Sequence, residues 1–435
     1  MAIAIGSREA SWVRYMVNNN NNRIRTKPAG VDAIFVVLVS YFGFEYIRPQ
    51  ESLFPFLSVL KIPMLLTLTL FICFLKSDKS ILKDKLVILT GLFIFEIGFS
   101  IVYALNSFSV WNVFFSMIII MLAVILVMPT ICNTRKKLYS FFKLWIVIHA
   151  VVALYSVFHA GHGPGGFLLD ENDFALALNM VLPISIYLSM SSTISGSKRL
   201  YYQLISLFFI ICIGLTNSRG GFLGLIAVFG LIWLFSDNRV KNLFKVLGIS
   251  LILAFPVYKM IPQSYINEMS SIADTEDDTR LERIYSWTKG WEMFVDNPIL
   301  GIGANNYPWN IFQYQMKDPE FDPQTMISLG GAPAHSMYFT LIPELGIIGI
   351  IIFSLILYQI FKKLNEIVSY SKGDNSREDD LLLAKALIVS TVTFLVTGTF
   401  ISVLYYPPFW YIVGFTLTMH SVFLPKESVP KQVLK

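Results

Sequence analysis

Residues 336–361 read SMYFTLIPELGIIGIIIFSLILYQIF, 26 residues with a single charged side chain, Glu344. About 20 apolar residues in helical form cross the hydrocarbon core of a bilayer, so this run is long enough to span one. Backbone polar groups meet no water in lipid and must pair within the segment, which makes the run a helix. A barrel strand would be about 9–11 residues of alternating polarity. This text is continuous and much longer.

Eleven further runs of the same kind flank it. The twelve predicted spans are 31–47, 56–76, 86–105, 111–132, 140–160, 172–190, 199–215, 220–236, 242–260, 336–361, 381–401 and 403–424. Of the 435 residues, 55% are hydrophobic and 14% charged, against about 25% charged in soluble domains. The chain therefore reads as an all-α membrane protein of about 12 transmembrane helices. Residues 1–30 form a cytoplasmic tail, 31–260 carry spans one to nine, 261–335 form a large outer loop, 336–424 carry spans ten to twelve, and 425–435 form a second cytoplasmic tail. Residues 1–17 lack the apolar core of a cleavable signal. The net charge of +5 is scattered over short connections. No stretch combines dense Lys and Arg with stacking aromatics, which excludes nucleic acid as a partner. Cys73, Cys132 and Cys212 lie far apart, within or at the end of apolar runs, and read as small buried hydrophobes.

Lys and Arg set the orientation. Arg8, Arg14, Arg23, Arg25 and Lys27 precede the first span. Lys79, Lys83 and Lys85, then Arg135, Lys136 and Lys137, then Lys198 and Arg199, then Arg239 and Lys241, then Lys362, Lys363 and Lys372 fall in alternate connections. Those connections belong in the cytoplasm. The connection at 261–335 falls on the other side; its 75 residues hold eleven acidic and four basic side chains. Structureless loops of that length are uncommon and usually functional. Within it, residues 279–295 place Leu281, Ile284, Trp287, Trp291 and Phe294 at helical spacing, before a stop at Asp296, Asn297 and Pro298. The pattern predicts an amphipathic helix on the membrane surface, its aromatics at headgroup level.

The side chains able to do chemistry lie on the outer side. His335 stands directly before the tenth span, and an imidazole with an ordinary pKa of about 6.5 can act as a general base at neutral pH. Arg219 opens the eighth span beside Asn217, Gly220 and Gly221, and Arg280 and Arg283 stand three residues apart on the loop helix. Guanidinium forks suit phosphate oxygens. Gly220 and Gly221 would admit either a ligand close to the backbone or tight helix packing. Arg219 could instead snorkel, and the loop arginines could pair with the acids of residues 274–278. That acidic run lacks the spacing and glycine of a calcium loop and reads as no metal site. His159 and His162 compete with His335 in a glycine-rich outer turn, whereas His149 and His420 lie inside spans and read as packing residues. Asp170 precedes span six, where it would cap the helix and favour its dipole.

Together three stretches resemble the O-antigen ligase and O-antigen polymerase superfamily. These are Asn-Ser-Arg-Gly-Gly at 217–221; Arg283-Ile-Tyr-Ser-Trp287 with the Asn-Pro-Ile-Leu-Gly-Ile-Gly of 297–303; and His335-Ser with Glu344-Leu-Gly346. The segments 170–180 and 46–50, the latter containing Arg48, are similar to a ligase-like subgroup. The resemblance implies an inverting glycosyltransferase of the bacterial inner membrane that needs no metal or other cofactor. It would move a glycan from undecaprenyl diphosphate to an acceptor hydroxyl, on a lipid A-core sugar, at the periplasmic face. It maps the essential histidine onto His335 and the essential arginines onto Arg219 and Arg283, with Arg280 as the substitute for the latter. Arg48, Asn217, Gly220, Gly221, His162 and Asp170 complete the expected substrate site. A polymerase using a second lipid-linked repeat unit as acceptor is the alternative. A transporter of lipid-linked glycan would need ionisable sites near the midplane, for which only Glu96, Glu344 and His149 offer themselves.

Overall fold

The computed structural model describes residues 32–236, 278–322 and 328–425. The predicted ninth span, most of the acidic run at 274–278 and both predicted tails lie outside the described residues. Among those described, every regular element is helical. The helices, in chain order, are α1 Ala33–Tyr46, α2 Ile62–Leu75, α3 Lys85–Phe99, α4 Ser107–Ile120, α5 Arg135–Val157, α6 Glu171–Met190, α7 Gly196–Leu215, α8 Arg219–Leu234, α9 Asp278–Asp296, α10 Tyr307–Met316, α11 Tyr338–Ser371, α12 Glu378–Thr397 and α13 Pro407–Phe423.

Eight helices among the described residues are long and apolar enough to cross a bilayer. Helices α2, α3 and α4 reach that length with the helical turns that adjoin them, over Pro55–Leu75, Lys85–Val102 and Ser107–Ile131, whereas α1 and α8, of 14 and 16 residues, fall short. The predicted twelfth span also shortens, because Pro407 and Pro408 start α13 four residues late and the chain before them turns. The predicted tenth span lengthens instead, α11 running ten residues past Phe361. Helix α6 is the innermost, buried along most of its length against α5, α7, α8 and α12. The basic connections gather at one end of the bundle, where Arg135 meets Asp380 at 2.7 Å, Lys137 meets Asp32 at 2.5 Å and Lys363 meets Asp84 at 2.7 Å. Arg48, Asp170, Arg219 and His335 stand at the other helix ends.

The described part of the predicted loop, residues 278–322 and 328–335, is a small folded cap with a core of its own, built on Met293, Ile302, Tyr307, Ile311, Tyr314, Leu329 and Ala334. What seats it is a break in α11. Pro343 lacks an N–H, and Gly346 adopts φ 58° and ψ −159°, so the helix ladder lapses between them. The cap's chain at 298–303 takes the released groups. Ile302 and Gly303 donate to the carbonyls of Pro343 and Glu344 at 2.9 Å each, and Ile347 donates to Pro298 O at 2.9 Å. The Glu344 carboxylate accepts from the backbone N–H of Asn305 (2.6 Å) and Tyr307 (2.9 Å) and from the Tyr405 hydroxyl (2.7 Å). Irregular backbone this deep is tolerated because protein surrounds it. From the other side the same chain is held by the turn between α3 and α4: Tyr103 donates to Leu300 O (2.8 Å), and the backbone amide of Asn106 donates to Asn306 Oδ1 (2.7 Å). The buried acid Glu344, read from sequence as a point for a transporter, is a structural clasp.

Helix α9 follows its predicted pattern in part. Leu281, Ile284 and Trp291 are exposed on one face, as a lipid-facing stripe requires. Trp287, at the edge of that stripe, departs from the expectation and turns inward.

Candidate functional site

His335 has a left-handed backbone, φ 48°, a conformation that costs a non-glycine residue about 1–3 kcal/mol and persists only where its surroundings impose it. Two braces do so. On the cap side, Trp287 Nε1 donates to Ala334 O at 2.8 Å while its indole stacks on Phe339, centroids 5.1 Å apart. On the bundle side, Met337 N donates to Gly398 O at 2.7 Å, and the Tyr338 hydroxyl donates to Leu395 O at 3.0 Å. The imidazole itself is exposed on one side. Desolvation by the protein behind it, then the Arg283 guanidinium, hold its pKa below the ordinary value, with Glu282 and Asp170 opposing. His335, Arg283 and Asp170 thus share one electrostatic neighbourhood.

Arg219 is tied to the same neighbourhood through helix ends. Asp170 caps α6, accepting from Asn172 N at 2.8 Å. Asn172 Oδ1 accepts from the Ser218 hydroxyl at 2.6 Å, and Ser218 Oγ in turn caps α8, accepting from Gly221 N at 2.9 Å. Asn217, exposed and at φ 53°, makes the turn into that cap. Arg219 is the first residue of α8 and half-buried. A Cβ on Gly221 would fall 2.7 Å from Ala175 Cβ, so this glycine lets α8 close on α6. Gly220 sits beside Thr397 and Ile401, at the end of α12 whose Gly398 carbonyl holds Met337.

The remaining sequence candidates scatter more widely. Arg280 is exposed on the first turn of α9. Arg48, also left-handed (φ 46°), is paired with Glu51 at 2.5 and 2.9 Å and lies against Gly165 and Gly166. His162 is exposed, its Nδ1 3.2 Å from Leu169 O and 3.6 Å from Glu171. His159 stacks on Tyr155 with centroids 3.7 Å apart. His149 is buried, its Nδ1 2.9 Å from Trp145 O one helical turn back, and His420 meets Glu366 of α11 at 2.8 Å. Cys132 and Cys212 are buried and Cys73 is half-buried. Among the described residues no three His, Cys, Asp or Glu side chains gather as a metal site requires.

Beside Ala334 lies a cavity of about 550 Å³, walled by α1, α4, α11, the cap and the turn before α13. Gln50, Asn112, Asn305, Ser402 and Tyr406 line it. Sequence reasoning quoted Gln50 within 46–50 but passed over it for Arg48. It passed over Ser402 and Tyr406 because nothing in an apolar run distinguishes a cavity wall from a packed one. Trp287 was missed as a brace because its spacing matched the lipid-facing stripe.

Residues 204–354 match the family described as O-antigen ligase. A protein of Rickettsia conorii named as a candidate polysaccharide ligase is 22% identical over 230 residues, which cover 51% of this chain and 55% of that protein. The chain thus spans about half the length of the curated relative it matches. The matched stretch runs from α7 through α8, the cap and the first half of α11, and so contains Arg219, Arg283 and His335.

Proposed function

From the resemblance to the O-antigen ligase and polymerase superfamily, we propose that this multi-pass membrane protein is an inverting glycosyltransferase. It moves a glycan from undecaprenyl diphosphate to an acceptor hydroxyl on a lipid A-core sugar, at the periplasmic face of a bacterial inner membrane. The observation that carries this reading is the joint placement of an exposed imidazole, Arg283 and Asp170 in one neighbourhood, braced by the turn that Gly220, next to Arg219, abuts.

The chemistry balances on those groups. The acceptor oxygen attacks the anomeric carbon as its proton passes to His335. The bond from that carbon to the phosphate oxygen breaks on the opposite face, and undecaprenyl diphosphate leaves with the electron pair. Arg219 and Arg283 offset the charge that grows on the leaving oxygen, the part a divalent ion plays elsewhere. The polyprenyl tail stays in lipid among the helices. His335 then gives its proton to water.

A ligase is favoured over a polymerase by the similarity of segments 46–50 and 170–180 to the ligase-like subgroup. Deletion in the native host followed by gel separation of surface glycolipids tests the choice. A ligase loss leaves full-length polymer on the carrier lipid and bare acceptor. Acceptor carrying single repeat units would instead make the protein a polymerase.

A further inference from the structure

Resting on the glycosyltransferase reading above, we infer that the cavity beside Ala334 binds the terminal sugar of the acceptor, and that Gln50 and Ser402 select it by hydrogen bonds to its hydroxyls. Gln50 is 7% exposed. Its Nε2 donates to Phe44 O at 3.2 Å, while its Oε1 and the buried Oγ of Ser402 have no partner among the described residues. Both residues line the cavity. Buried polar atoms left without partners are costly; a turn of either side chain toward the cavity would let a guest hydroxyl complete them.

Size and charge identify the guest. At about 550 Å³ the cavity falls within the range of small-ligand sites. Its polar lining is mainly amide and hydroxyl, with the phenol rings of Tyr405 and Tyr406 beside it. Arg48 is the guanidinium on its wall, and Glu51 holds it. Glu45 and Glu344 add carboxylates, the latter already bonded to Asn305, Tyr307 and Tyr405. A diphosphate would meet two carboxylates and a guanidinium already paired with Glu51, whereas a neutral sugar finds donors, acceptors and apolar faces. Position identifies the role. Ala334 lines the cavity and the next residue is the proposed base, so the cavity ends beside the backbone that carries His335. An inverting displacement needs the incoming and leaving oxygens on opposite faces of the anomeric carbon. The turn at 398–402 lies between these two flanks: Ser402 faces the cavity, and Ile401 faces Gly220 beside Arg219.

The test uses the full-length protein in nanodiscs, with carrier-linked glycan as donor and the glycolipid fraction as acceptor, both extracted from a deletion strain. Ser402→Ala and Gln50→Leu should each raise the acceptor KM about 5- to 10-fold, the worth of one neutral hydrogen bond, with donor KM and kcat within about twofold of wild type. Ser402→Ala removes no side-chain hydrogen bond among the described residues, so its thermal midpoint should not fall, and it keeps the test sound if Gln50→Leu misfolds. Unchanged acceptor KM in Ser402→Ala overturns the inference alone, as does a rise in donor KM instead. Wild-type protein that moves no glycan between the two fractions overturns the glycosyltransferase reading and this inference with it.

Discussion

At the level of single residues, the pH at which the proposed base works is set by its neighbours. Burial and the Arg283 charge both disfavour the imidazolium, so His335 stays neutral to a lower pH than a free imidazole. The acid limb of the transfer rate should therefore fall below about pH 6.5. Arg283→Ala removes one lowering cause, so besides slowing transfer it should move that limb to higher pH; a limb that stays in place would separate Arg283 from the base. His335→Ala should accumulate in the membrane at normal levels and transfer glycan about 10²–10⁴-fold more slowly, read as product formed per mole of protein. Arg283→Lys should restore little, because an ammonium keeps the charge and loses the fork.

Among the elements, the break in α11 and the cap chain that crosses it form one unit. Gly301 has φ 69°, and a Cβ there would fall 2.4 Å from the backbone carbonyl of Glu344. Gly301→Val should destabilise the protein by more than about 1–3 kcal/mol, the scale of backbone strain alone, lowering the thermal midpoint in detergent and abolishing transfer. Gly230 of α8 is the contrast: nothing lies within 4 Å of a Cβ there, so Gly230→Ala should be neutral or stabilising by about 0.5–1 kcal/mol. The sequence made the helices legible because apolar runs have one solution in lipid. It also marked the text at 297–303 and at Glu344 as belonging together, through the family resemblance. It could not show that these stretches touch, since strand-like docking onto a broken helix has no periodicity. Trp287 was misjudged for a related reason: spacing places a residue on a stripe, but only packing decides which edge of the stripe turns inward. Gln50 and Ser402 were invisible as a pair, 352 positions apart along the chain.

For the whole molecule, the basic side chains Arg135, Lys137 and Lys363 and their acids gather at one end of the bundle, and the imidazole and the Arg283 guanidinium stand at the other. The proposed mechanism assigns the leaving-group charge to arginines, so transfer by purified protein should persist in excess chelator. A loss restored by added divalent ion would give that role to a metal. One further consequence follows from Gly398, the carbonyl that fixes Met337 and with it the bend at His335. The ribosome makes that glycine 63 residues after His335, so a nascent copy lacking α12 would carry the imidazole without its brace. On the proposed function such a copy stays dormant, and carrier-linked sugar is safe from it until α12 has been made and packed.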